Sequence, residues 1–149
     1  MNMNEAKSRI VKHSGECRWK GIRPQKYKVE GKEWASVIKH MLVVGEKGER
    51  ARFHFRYLEL APGGHTSFET HRHEHVVLVI KGKGEVILGK KAQKVEYLDT
   101  IYICPNEPHQ LLNPYKKPFG FICVVDARRD RPKVIGKEAF PACESKAPA

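Results

Sequence analysis

At 149 residues, with 40% hydrophobic and 30% charged side chains, the chain carries enough apolar material for one self-supporting core, which excludes a disordered or fibrous polypeptide. No apolar run approaches the ~20 residues of a membrane-spanning helix, and residues 1–12 lack the apolar centre of a secretory leader. The net charge of +11 is spread along the chain among acids, without a helix-turn-helix pattern, an aromatic RNA-binding motif or a basic tail. That argues against specific nucleic-acid binding and remains compatible with a small anionic molecule.

In chain order, residues 1–18 read as a polar lead-in, residues 19–135 as the folded domain and residues 136–149 as a tail. Pro24 disfavours helix at Arg23, so Trp19–Pro24 is extended or turning. Tyr27–Val29 suggests a short strand and Glu30–Lys32 a turn. Between Glu33 and Val44 the apolar period is mixed, but β-branched residues and the stop at Gly45 favour strand over helix. Arg52–Leu60 alternates cleanly, with Phe53, Phe55 and Tyr57 on one face and His54, Arg56, Leu58 and Leu60 on the other. Ala61-Pro62-Gly63-Gly64 is expected to break that strand. A histidine-led strand running to Ile80, Glu85–Leu88, one strand or two over Val95–Ile103, and Phe119–Val125 are predicted next, with Gly82, Gly84 and Gly89 in turns and Pro105 and Pro108 bracketing a turn that leads into His109–Asn113. Short strands at regular spacing, without a convincing long helix, indicate an all-β barrel or sandwich. The four scattered cysteines (Cys17, Cys104, Cys123, Cys143) suit free thiols in a reducing cytoplasm.

The chemistry concentrates in His71-Arg72-His73-Glu74-His75, at the entrance to an apolar, β-branched run. On a strand these three histidines would project to one side, and a divalent transition metal favours neutral imidazoles gathered at one point. The spacing is tight. At ~3.3 Å per residue, His71 and His75 on an ideal strand would stand about 13 Å apart, near the limit for two imidazoles on opposite sides of one ion. The strand must therefore bend or bulge, or one histidine must step aside. Glu69, of the same parity, is the natural substitute, and Glu74 would need a bulge to turn inward. His13, His40 and His54 read as ordinary half-buried side chains and His65 as a rim residue. Trp19 and Trp34 read as core or contact residues.

These residues resemble the motifs of the cupin superfamily, in its small single-domain form. Gly64 precedes His71-Arg72-His73, and His75 stands six residues before Gly82, as in the first cupin motif. Pro105, His109 and Asn113 match the second. The resemblance spans roughly Tyr57–Val125 and implies an all-β cupin jelly-roll barrel, often a homodimer. It also implies one divalent ion (Mn, Fe, Ni, Zn, Co or Cu) held by His71, His73, His75 and His109. A dimer edge built from residues 19–29 is an expectation from the same analogy, and Asn113 is expected to fix backbone rather than to ligate. Two classes of function follow. One is a metal-dependent enzyme acting on a small polar or anionic molecule, of dioxygenase type or an isomerase or lyase. The other is a non-catalytic barrel that binds or senses a metal or small ligand. Arg56 would meet an anionic substrate if its face is inward. Cys104 lies on the approach to His109 but is expected to be a packed thiol, and no serine or cysteine nucleophile with an adjacent base is recognisable.

Overall fold

The computed structural model describes residues 6–28, 34–129 and 132–135. Among them there are thirteen strands and no helix: β1 (His13–Gly15), β2 (Arg18–Trp19), β3 (Gln25–Lys26), β4 (Ala35–Val43), β5 (Phe53–His65), β6 (Glu69–Thr70), β7 (His75–Lys81), β8 (Lys83–Leu88), β9 (Lys91–Glu96), β10 (Thr100–Ile103), β11 (His109–Leu112), β12 (Phe119–Asp126) and β13 (Lys133–Val134). Apart from the β1–β2 hairpin, they form one curled antiparallel sheet with two arms. The first arm runs β10-β7-β12-β5 and continues through β4 to β3. In the second, β11 joins β6 and β8, with β13 and β9 outside them. The arms meet where Leu112 of β11 pairs with His65 at the far end of β5.

The period-two pattern of the strands explains the layering. Inward residues of both arms, among them Leu58, Leu60, Val77, Val79, Val86, Leu111, Phe119 and Phe121, merge into one core. Each fully buried side chain of this kind stabilises the barrel by ~1.5–3 kcal/mol. The outward faces of β4, β5 and β12 carry Leu42, Tyr57 and Ile122, with Val11, Cys17, Trp19 and Ile22 packed on them. The Trp19 ring lies 5.3 Å from Tyr57 and 5.6 Å from His40, which is fully buried. The β1–β2 hairpin, which the sequence places in and beside a polar lead-in, thus roofs the outside of the barrel.

Three local expectations are corrected. Gly84, expected in a turn, lies within β8, where it pairs with Val95 and a Cβ would overlap the Phe119 ring. The Ala61–Gly64 segment does not end its strand: β5 runs on to His65. Gly63 takes a positive φ of 81° and bends the strand, while Gly63 N–H donates to the Asn113 carbonyl and Asn113 N–H to the Gly64 carbonyl, so pairing resumes across the bend. Of the strand expected at Tyr27–Val29, Tyr27 and Lys28 lie outside any strand and Val29 lies outside the described residues; a strand is found at Gln25–Lys26, paired with β4 of the same chain. The turn expected at Glu30–Lys32 and the tail 136–149 lie outside the described residues.

Candidate metal centre

His71, His73 and His75 do not share a strand. β6 ends at Thr70, residues 71–74 form a bend, and β7 begins at His75. The bend is clamped to the turn before β11: the Thr70 hydroxyl donates to the Asn106 carbonyl at 2.8 Å, and Asn106 N–H donates to the His71 carbonyl at 2.8 Å. It resolves the span that a straight strand could not close, bringing His71 Nε2 to 2.7 Å from His75 Nε2. His109 arrives from the other arm of the sheet, paired through its backbone with Glu69 and Leu88. Ligand atoms of His71, His75 and His109 all lie within 4.8 Å of one another, a grouping that could hold a metal ion.

The hydrogen bonds suit that use. His71 Nδ1 donates to the His73 carbonyl at 2.7 Å and His109 Nδ1 to the Glu107 carbonyl at 2.8 Å. A carbonyl can only accept, so both rings carry their proton on Nδ1 and leave the Nε2 lone pair for an ion, the usual backing of a metal-bound imidazole. Burial, then the proximity of His109 and His71, holds the His75 imidazole far below its ordinary pKa. Burial does the same to His109, against the opposing pull of Glu107 and Glu69. Neutral imidazoles whose ring nitrogens converge this closely call for a proton or a cation between them, and the donor set fits a borderline divalent metal.

His73 stands one step back. Its ring stacks on His71 at 3.6 Å, nearly parallel, and lies 5.2 Å from His75. Glu69 is buried in the cavity wall, where Lys28 Nζ binds its Oε2 at 2.8 Å. Glu74 is exposed and accepts a hydrogen bond from the Tyr102 hydroxyl, so no bulge turns it inward. Asn113 bridges backbone: its amide donates to the carbonyls of Leu60 and Lys117 and its oxygen accepts from Tyr115 N–H. Of the other histidines, His65 contacts the Thr66 carbonyl, His54 accepts from Arg129, and His13 packs on Trp19.

The imidazoles open on a cavity of about 260 Å³ lined by His73, His75, His109, Glu69, Cys123 and a set of cations, Lys28, Lys39, Arg56 and Arg129. A wider groove of about 780 Å³ lies away from them, between Gly82-Lys83 and Tyr115–Lys117, and contains no histidine. Volume therefore does not identify the site; the converging donors do. Arg56 does face inward, as its alternation allowed, and its Nη2 lies 3.1 Å from Cys123 Sγ. Cys104 is exposed and not in the wall. Cys123 is, with Sγ also 3.0 Å from His75 Nδ1. Sequence reading missed Cys123, Lys39 and Arg129. The available signal was parity, since Cys123 pairs across the sheet with Arg56 and Lys39 with Leu58, but that register is invisible in the sequence.

Comparison with known proteins places this geometry in context. The Cupin domain family model matches residues 56–125. The chain is 36% identical over 120 residues to 1-methylthio-D-xylulose 5-phosphate methylsulfurylase of Rhodospirillum rubrum, covering 78% of this chain and 74% of that protein. Its structure is similar to a cupin-2 domain protein of Rhodospirillum rubrum (TM-score 0.77, 30% identity, 88% of this chain and 86% of that one). It is similar also to a cupin 2 conserved barrel domain protein of Rhodopseudomonas palustris (TM-score 0.78, 27% identity, 92% and 93%). With its barrel, its two matching motifs and these relatives, the chain belongs to the cupin family as a small single-domain member.

Proposed function

We propose that this protein is a metal-dependent enzyme acting on a small anionic carbonyl compound, the class to which the substrate named for the Rhodospirillum rubrum relative belongs. The observation that carries the reading is the convergence of the ring nitrogens of His71, His75 and His109, all within 4.8 Å of one another, beside a cation-lined cavity. In this reading those three hold the ion, and His73 supplies the fourth ligand after a turn of its ring. A divalent ion held there supplies a Lewis acid for a carbonyl oxygen.

The chain's own groups do the rest. The cations draw in an anionic molecule and orient it with its charge away from the imidazoles. Cys123 is the cysteine among the lining residues, a soft sulfur beside His75 and Arg56 in position to meet a sulfur-bearing substituent. Core residues Leu58, Leu111 and Phe121 line the cavity with apolar surface and limit water. This favours isomerase-, lyase- or sulfur-transfer-type chemistry over oxygenation, because the cavity is furnished for an anion and a thiol.

The test is to load the protein in turn with Mn(II), Fe(II), Co(II), Ni(II) and Zn(II), incubate it with 1-methylthio-D-xylulose 5-phosphate, and follow the compound by mass spectrometry and phosphorus NMR. Conversion that is lost in His109→Ala supports the proposal. Oxygen uptake accompanying conversion would move it to the dioxygenase class, and tight binding without turnover under any metal would leave a binding module.

A further inference from the structure

Among the described residues, the cavity beside the imidazoles carries more cations than carboxylates. Lys39 on β4 and Arg56 on β5 lie on the inner face, and Arg129 reaches over from the segment after β12. Among the described residues, the one carboxylate lining the cavity is Glu69, and Lys28 takes it together with the Ser67 hydroxyl. Lys39 has no hydrogen-bond acceptor among the described residues. Arg129 makes its two bonds through Nη1, to His54 Nδ1 at 2.9 Å and the Asp126 carbonyl at 3.0 Å, neither of them anionic. Arg56 Nε is buried with no acceptor, although Nη2 reaches Cys123.

Buried polar groups are normally paired, and buried cations are paired with anions. Three cations meeting in one cavity, one of them with an orphaned donor, form a site whose missing partner is negative. Their mutual effect agrees: burial first, then Arg56, Arg129 and Lys28, pulls Lys39 below its ordinary value, and burial and Arg56 do the same to Arg129. Two guanidinium forks and an ammonium supply more donors than a carboxylate accepts and match the terminal oxygens of a tetrahedral dianion.

We propose that Lys39, Arg56 and Arg129 form a binding subsite for a phosphate monoester, beside the imidazole cluster in the same cavity but built from other residues, that positions the substrate's other end toward the imidazoles. This rests on the enzymatic reading above for the orientation of the substrate, but not for the binding itself.

The subsite is tested by calorimetric titration of the metal-loaded protein with inorganic phosphate at fixed ionic strength, with acetate as the monoanionic control, and with metal content measured on every sample. Wild type should bind phosphate saturably and acetate far more weakly. Lys39→Gln and Arg129→Gln should each weaken phosphate binding about tenfold or more, Lys39→Arg should retain it, and all should keep their metal. Relief of repulsion should leave the thermal midpoint unchanged or raised, which separates lost binding from lost folding. His109→Ala should lose the ion and keep phosphate. The subsite is overturned if wild type does not bind phosphate, if Lys39→Gln and Arg129→Gln bind like wild type, or if His109→Ala abolishes binding, which would put phosphate on the ion. A His109→Ala protein that keeps its metal would instead defeat the metal assignment and leave the subsite standing.

Discussion

His75 Nδ1 lies 3.0 Å from Cys123 Sγ while the other nitrogen of the same ring faces His71. One imidazole therefore connects the cluster fit for an ion with the thiol of the cavity. Cys123→Ser keeps a polar partner for His75 but removes the soft sulfur. Under the proposed function it should retain wild-type metal content and lose about a hundredfold or more in conversion of a methylthio ketose phosphate. Wild-type turnover by Cys123→Ser would remove the thiol from the chemistry.

Elemental analysis of single alanine variants should separate the histidines. His71→Ala, His75→Ala and His109→Ala each delete a member of the close group and should lower bound metal sharply, whereas His73→Ala, one ring removed, should lower it less. Chelation of the wild type should reduce the thermal midpoint, since an ion held at a hundred times its Kd adds about 2.7 kcal/mol to the folded state. Equal metal content in all four variants and wild type would refute the assignment.

Gly120 on β12 is placed directly beneath the Tyr57 hydroxyl, and a Cβ there would overlap the phenol, whose ring is fully buried and whose hydroxyl donates to Glu59. Gly120→Ala must displace that ring and the Trp19 roof resting on it. A loss of about 1–3 kcal/mol is expected, visible as a lower midpoint in thermal or urea unfolding.

Acid sensitivity should have a component at Glu49. Burial opposes its ionisation, but hydrogen bonds from Arg9 and from its own and Gly45's backbone amides, with the charge of Arg9, outweigh this and draw its carboxyl down to about 2 from 4.5. A folded value below the unfolded one means stabilisation that is complete above about pH 5 and drains away as pH falls toward 2. Glu49→Gln should flatten unfolding free energy over that window relative to wild type. An unchanged slope would show that the Arg9–Glu49 tie does not form in solution.

The barrel was legible because alternation and Gly/Pro punctuation are local signals: Phe119–Val125 and Glu85–Leu88 fall in strands as their patterns predict, and Arg52–Leu60 does so apart from its far end, whereas Gly84, expected in a turn, sits inside β8. The four histidines were legible as a group through motif spacing. Their arrangement was not, because the bend at residues 71–74 is fixed by Asn106, thirty-odd positions away. Lys39, Arg129 and Cys123 were hidden for the same reason. A lysine at the middle of a strand looks like a solvent-side charge until the register with Leu58 shows which way the strand faces.

That bend carries a practical consequence for redesign. Two of the imidazoles ride on an irregular connection, whereas His75 and His109 are locked into ladder positions. Residues could be added or removed between Thr70 and His75 to change the reach, number and angle of donors without slipping the register of β7 against β10 and β12. Denticity is thus a property of a short connector, adjustable while the scaffold is left alone.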